Sequence, residues 1–132
     1  MPERAIIEPV PTPETETFWE ATKAGRFLLR RCRACGDAHW YPRSICPLCA
    51  SADTEWIEGA GEGLIYSYSV MRRAQPNYVM AYVTLAEGPT MMTNIVGCDP
   101  ATLRIGDRVR ISFTPTPGGA ALPCFTPVTE AP

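Results

Sequence analysis

Two pairs of cysteines constrain the fold of this chain more than any other feature. The pairs are Cys32 with Cys35 and Cys46 with Cys49. Two residues lie between the members of each pair, and ten residues lie between the pairs. Two tight turns at the ends of a short hairpin can bring four thiolates to the corners of a tetrahedron, which structural Zn²⁺ prefers. Gly36 and Pro47 suit such turns. The spacing therefore predicts one zinc ion held by these four cysteines.

Disulfides and a redox Cys-x-x-Cys motif are the alternatives for these cysteines. The N-terminus has no apolar stretch of signal-peptide length, so we expect a cytoplasmic protein, in which structural disulfides are rare. A redox motif needs a strand that leads into a helix, whereas the flanking residues predict hairpins. A site closed by four sulfurs leaves no position for water, so the predicted zinc is structural and not catalytic.

The rest of the chain predicts a mainly β protein with one N-terminal helix. Thr12-Pro13-Glu14 has the residues of a helix start, and Gly25 those of a helix end. Strands are expected around the cysteines at 26–31, 38–41 and 54–58, and beyond them at 64–71, 78–85, 90–96, 108–113 and 121–125. A short helical turn is expected within 97–104. Five strands with a short element between the third and fourth follow the order of an OB-fold barrel.

These elements divide the chain into three predicted parts. Residues 1–25 form an arm and helix, residues 26–60 a rubredoxin-like zinc ribbon, and residues 61–132 the OB-fold. The glycines at 59, 61 and 63 predict a bulge or a hinge between the last two parts. Tyr66, Tyr68 and Val70 alternate with serines, so they are expected on one face of their strand.

The residues needed for catalysis are scarce in this sequence. His39 is the only histidine, and neither Cys98 nor Cys124 has a histidine near it. A nucleophile-elbow motif, a P-loop and a dinucleotide fingerprint are all missing. We therefore expect a binding or scaffolding role, with an enzyme acting through Cys98 or His39 as an alternative.

Single-stranded nucleic-acid binding is a second alternative. Zinc ribbons and OB-folds both bind nucleic acids, and four tyrosines could stack on bases: Tyr66, Tyr68, Tyr78 and Tyr82. Tyrosines at alternate strand positions more often line the core or rim of a barrel. The formal net charge of −2 also disfavours this hypothesis, because nucleic-acid binders usually carry a basic excess.

A longer ordered set of residues resembles a known family. In chain order the set is Phe18-Trp19, Gly25-Arg26-Phe27-Leu28, Arg31-Cys32-x2-Cys35-Gly36, Tyr41-Pro42-Arg43, Cys46-Pro47-x-Cys49, Trp56, Gly61-x-Gly63, Tyr66-Ser67-Tyr68, Leu85-x-Glu87-Gly88, Ile105-Gly106-x-x-Val109 and Leu122-Pro123-x-Phe125. It resembles the zinc-ribbon and OB-fold family that was long described as a domain of unknown function. Its members accompany thiolase-like enzymes that act on acyl-coenzyme A, as separate subunits or fused to hydratases.

The resemblance implies a non-catalytic accessory subunit. No membrane segment is expected, because the longest uncharged apolar runs are far shorter than the about 20 residues that a spanning helix needs. Such a subunit binds and stabilises a thiolase-like or lipid-transfer-protein-like partner and helps to form its acyl-CoA site. A sterol side-chain retro-aldolase is the most specific partner that it suggests. Predicted contacts to the partner or to coenzyme A phosphates are the residues Phe18, Trp19, Arg31, Arg33, Arg43, Arg72 and Arg73. For the two aromatic residues the alternative is packing of the helix on the ribbon, and for Arg72 and Arg73 it is a solvated loop end.

Overall fold

The computed structural model describes residues 6–128, which form a helix, a three-stranded ribbon and a closed five-stranded barrel. The helix is α1 (Glu16–Lys23), and the ribbon strands are β1 (Leu28–Cys32), β2 (Ala38–His39) and β3 (Thr54–Glu58). The barrel strands are β4 (Glu62–Met71), β5 (Tyr78–Leu85), β6 (Thr90–Ile95), β7 (Arg108–Pro115) and β8 (Ala121–Pro127). A 3₁₀ turn, Pro100–Thr102, precedes β7. The predicted fold class is confirmed.

The helix begins one turn later than its sequence predicted. The carbonyl of Thr12 accepts the N–H groups of Thr15 (2.9 Å) and Glu16 (2.8 Å), so residues 12–15 form a turn that precedes the helix. The carboxylate of Glu14 in this turn accepts the N–H of Ser44 (2.6 Å). The predicted first helical turn is therefore used for a contact with the ribbon. Gly25 follows the helix with φ +73°, as expected of a residue at a helix end.

The ribbon is an antiparallel sheet with β1 in the centre, in the order β2-β1-β3. β2 is shorter than the predicted strand at 38–41, because the chain turns away after His39. The Trp40 ring then packs edge-on against Phe18, with their centroids 5.1 Å apart. The last two residues of the predicted strand therefore pack against the helix and do not pair with β1.

The barrel is closed in the order β4-β5-β6-β8-β7, with β7 paired back to β4. Its alternate residues point inward, as β5 shows with buried Val79, Ala81, Val83 and Leu85. The glycines before and in β4 allow close approach: a Cβ at Gly63 would lie 2.6 Å from the Thr84 carbonyl oxygen. No helix among residues 6–128 is long and apolar enough to cross a membrane.

A β-bulge changes the predicted pattern of β4. Ile65 pairs with Val83, but Ser67 pairs with Tyr82, so Tyr66 is the extra residue. Ile65 is buried and Tyr66 is 67% exposed, while the Tyr68 hydroxyl donates to the Leu103 carbonyl (2.9 Å). The expectation that Tyr66 and Tyr68 share a face is therefore wrong, because alternation does not reveal an inserted residue.

Aromatic rings join the helix, the ribbon and the barrel into one core. Phe27 from the ribbon lies 6.3 Å from Phe18 of α1 and 6.3 Å from Phe125 of β8, measured between ring centroids. Phe18 and Phe125 are fully buried.

Candidate metal centre and partner-contact residues

Two similar turns build the cysteine site. In the first, the Gly36 N–H donates to the Cys32 carbonyl (2.8 Å), and in the second the Ala50 N–H donates to the Cys46 carbonyl (2.9 Å). Gly36 and Ala50 both have positive φ, at 83° and 66°. Glycine adopts this conformation readily, whereas alanine does so at a cost. The sequence indicates the first turn through Gly36, but nothing in it indicates that Ala50 has the same role.

The four predicted cysteine sulfurs lie together, all within 4.8 Å of one another. The Sγ atoms of Cys32 and Cys49 are 3.5 Å apart, and those of Cys35 and Cys46 are 3.8 Å apart. A tetrahedral zinc site with Zn–S bonds of about 2.3 Å has sulfur–sulfur edges of about 3.8 Å. A disulfide requires about 2.05 Å. The four cysteines are thus positioned to bind a metal ion, and the geometry fits Zn²⁺.

Backbone N–H groups point at the sulfurs of this site. Cys35 N–H donates to the Cys32 sulfur and Leu48 N–H to the Cys46 sulfur, each at 3.4 Å. The N–H of Cys35 is the main reason why the pKa of the Cys32 thiol falls to about 7. A thiolate at this position is therefore easily formed, as a metal ligand must be.

Two of the other thiols, those of Cys35 and Cys49, resist ionisation while no cation is near. An N–H from Asp37 lowers the pKa of Cys35, but burial and hydrogen bonds with the neighbouring sulfurs outweigh it and raise that pKa to about 12. The Ser51 N–H lowers the pKa of Cys49, but hydrogen bonds with Cys32 and Cys46, together with burial, outweigh it and raise that pKa. Four sulfurs this close cannot all carry charge unless a cation compensates them.

One of the five arginines predicted to contact the partner or coenzyme A already has acidic neighbours. Arg33 pairs with Asp53 (3.0 Å) and with Glu55 (3.2 Å), so it is largely neutralised and less suited to the predicted phosphate contact. Arg30 lies over the ring of Trp56, 4.6 Å from its centroid. The remaining candidates are exposed: Arg31 and Arg43 in the ribbon, and Arg72 and Arg73 in the β4–β5 loop. Within residues 6–128 none of these four forms an ion pair.

Phe18 and Trp19 are both buried, with 0% and 8% exposure. Their rings pack edge-on at 4.9 Å, and the Trp19 indole N–H donates to the Tyr41 hydroxyl (2.7 Å). The structure therefore supports the packing interpretation, and neither ring is available for the predicted contact with a partner. Neighbouring helix residues point in different directions, but here both side chains are buried because the ribbon and the barrel cover the helix on two sides.

Neither alternative catalytic residue has a suitable environment. Burial, and secondly the charge of Asp99, raises the pKa of the Cys98 thiol, so it is a weak nucleophile at neutral pH. Cys98 and Cys124 line an apolar cleft of about 710 Å³, and the only histidine is in the ribbon. His39 is buried, its Nε2 accepts the Arg43 N–H (3.3 Å), and burial lowers its pKa. It acts there as a packing residue.

Two family descriptions match successive parts of the chain. Residues 19–55 match "ChsH2, rubredoxin-like zinc ribbon domain", and residues 56–114 match "ChsH2, C-terminal OB-fold domain". A solved structure titled "Ltp2-ChsH2(DUF35) aldolase" is similar, with a TM-score of 0.81 and 33% identity, over 92% of this chain and 100% of that chain.

Curated relatives carry two kinds of name. A "DUF35 domain-containing scaffold protein" of Methanothermobacter thermautotrophicus is 37% identical over 63% of this chain and 68% of its own length. A "Probable enoyl-CoA hydratase alpha subunit" of Thermomonospora curvata is 37% identical over 83% of this chain. A "3-oxo-4,17-pregnadiene-20-carboxyl-CoA hydratase alpha subunit" of Mycobacterium tuberculosis is 29% identical over 86% of it.

The chain spans 36% and 38% of the length of these two hydratase subunits. Its resemblance to them is thus confined to one part of each relative, whereas it covers the matched chain of the aldolase structure in full. The zinc-ribbon and OB-fold parts match in the order found in the structure. This protein belongs to the DUF35 family of ChsH2-type zinc-ribbon and OB-fold proteins.

Proposed function

We propose that this protein is a non-catalytic accessory subunit, which binds and stabilises a thiolase-like acyl-CoA enzyme and helps to form its acyl-CoA site. The observation that carries the proposal is the likeness, in fold and sequence, to the full matched chain of a solved aldolase assembly. The scaffold name of an archaeal relative supports it. A sterol side-chain retro-aldolase is the more specific partner, supported by the relative named for a pregnadiene-carboxyl-CoA.

The chemistry of the described residues favours an accessory role without catalysis. Four cysteines close the candidate metal site, which leaves no coordination position for a substrate. Burial raises the pKa of the Cys98 thiol and so disfavours a nucleophile there, and His39 lies in the ribbon, where its Nε2 accepts the Arg43 N–H, and not beside Cys98. Catalysis is therefore assigned to the partner enzyme.

The metal in this proposal is a structural Zn²⁺ held by Cys32, Cys35, Cys46 and Cys49. When bound, zinc neutralises the four thiolates and fixes the two turns relative to each other. The thiols must be reduced to act as ligands, and we accordingly propose a cytoplasmic location. Arg31 and Arg43 lie on the ribbon that the metal orders, and they are the ribbon contacts that we retain for coenzyme A phosphates or an acidic partner surface.

Co-expression tests the proposed function. The chain is produced together with a thiolase-like acyl-CoA enzyme of the same organism, and the mixture is separated by size-exclusion chromatography. We expect a stoichiometric complex, acyl-CoA turnover that needs both proteins, and no turnover of an acyl-CoA panel by this chain alone. An enzyme that is equally active and stable without the chain, and that never co-elutes with it, would refute the proposal. A Cys46→Ser variant serves as the control in which the ribbon is not assembled.

A further inference from the structure

The outer surface of three adjacent barrel strands is free of charged side chains over most of its length. Between Leu64 and Met71 on β4, and along all of β5 and β6, every residue is uncharged. The outward-facing residues are Leu64, Tyr66, Ser67, Ser69, Met71, Tyr78, Met80, Tyr82, Thr84, Thr90, Met92 and Asn94. We call this surface the apolar face. The exposed side of a sheet normally carries charged residues, so this pattern indicates a contact surface.

Large apolar side chains occupy the middle of the apolar face. Tyr66 is 67% exposed, Met92 53%, Leu64 49%, Tyr82 45% and Met80 36%. Tyr82 lies opposite Met92 on β6 and opposite Ser67 on β4, so the set is continuous across the three strands. The bulge at Tyr66 turns one more ring outward beside this set. Aromatic and methionine side chains are enriched where proteins dock.

The rim of the apolar face has a net positive charge. Arg108 on β7 pairs in register with Leu64, and Arg110 pairs with Glu62 just beyond it. Arg72 and Arg73 follow β4 in the exposed loop at the other end. Arginines thus outnumber carboxylates at this rim, where Glu62 begins β4 and Glu87 lies in the β5–β6 turn. The complementary surface would be apolar at its centre with carboxylates at its margin.

We propose that the apolar face is the surface on which the acyl-CoA enzyme docks, through a patch of that apolar and acidic-rimmed chemistry. This inference rests on the proposed function and assigns it a place on the molecule. A two-fold copy of this chain is a poorer occupant, because an isologous contact would bring the rim arginines of both copies together. Single-stranded nucleic acid is also a poorer occupant, because a phosphate backbone needs cations along its path and none lies on the face.

Charge insertion tests this proposal with the full chain and the co-expressed enzyme. Tyr82→Glu and Met92→Glu place a carboxylate in the centre of the face, and we expect the dissociation constant to rise at least about tenfold for each. Met92→Leu keeps an apolar side chain and should bind as the parent does. Val10→Glu makes the same kind of change at a side chain that is 84% exposed on the arm, and it should also leave binding unchanged.

The outcomes separate this inference from the proposed function. Folding of each variant is checked by its melting temperature and zinc content, so that a loss of binding is not a loss of structure. A parent chain that fails to bind the enzyme overturns both proposals. A parent that binds while both glutamate variants bind equally well, or while Val10→Glu weakens binding as much, overturns only the inference.

Two further results would assign the apolar face to another occupant and overturn the inference. One is a dimer of the chain alone, observed by analytical ultracentrifugation, that Met92→Glu dissociates. The other is binding of an oligothymidylate at physiological salt that Tyr82→Glu abolishes. We expect a monomer, and no oligothymidylate binding, for the chain alone.

Discussion

The end of the ribbon and the barrel are stabilised by different kinds of interaction. In residues 32–53, which we call the knuckle segment, the buried residues are Cys32, His39, Pro42 and Cys46, and none is a large aliphatic side chain. The barrel, residues 62–127, instead buries a set of aliphatic and aromatic side chains and pairs five strands into a closed sheet. A segment with so little apolar burial needs another source of stability, and its four adjacent sulfurs are positioned to supply one by binding a metal ion.

Removal of the metal should produce the largest effect and should act on one region only. A chelator eliminates a binding free energy of about 10–16 kcal/mol in comparable structural zinc sites, so the knuckle segment should unfold while the barrel stays folded. Hydrogen exchange with mass spectrometry, with and without chelator, measures this by segment. A Cys98→Ser variant, changed outside the site, should behave as the parent. Protection that falls equally in both regions would show that the barrel also depends on the metal.

A cavity in the barrel core should have the opposite regional effect. Ile65 is 1% exposed, and we expect Ile65→Ala to lower the free energy of unfolding of the barrel by about 2–5 kcal/mol. The affinity for zinc should not change, because the site lies outside the barrel. Ile105→Ala is the matched control, since Ile105 is 70% exposed and the same truncation should cost little. Denaturant unfolding and competitive zinc titration measure the two quantities.

The pH dependence of stability should reveal the buried imidazole of the knuckle segment. Burial lowers the pKa of His39, so the unfolded chain binds this proton more readily than the folded chain does. The stabilisation is therefore complete above a pH of about 6.5 and is lost below it, by at most about 1.4 kcal/mol per pH unit. His39→Gln should flatten this slope in denaturant titrations. Loss of zinc at low pH affects parent and variant alike, so equal slopes would contradict the assignment.

The two turns of the knuckle segment allow a reciprocal test with the smallest expected effect. Gly36→Ala places a side chain in the left-handed region and should cost about 1 kcal/mol, although a Cβ there meets nothing within 4 Å. Ala50→Gly relieves the same strain and should raise stability by about 0.5–1 kcal/mol. The melting temperatures of the zinc-loaded variants measure both effects. Shifts of the same sign in the two variants would contradict the view that the two turns are equivalent.

The sequence predicted the cysteine cluster better than the surroundings of the arginines. Spacing and turn residues are local, so they brought out the four cysteines and nearly all strand positions. The pairing of Arg33 with Asp53 and Glu55 joins residues about twenty positions apart, and the sequence does not show that they face each other. The bulge at Tyr66 and the left-handed Ala50 depend on tertiary packing and lack the glycine that would mark them.

Zinc K-edge X-ray absorption on freshly purified protein tests the central claim most directly. The close approach of four cysteine sulfurs predicts one zinc per chain, with four sulfur neighbours at about 2.3 Å and no nitrogen or oxygen ligand. A first shell that contains a light atom would indicate an open site, and the structural role of the metal would then be wrong. Protein free of metal, with these cysteines joined in disulfides, would contradict the account altogether.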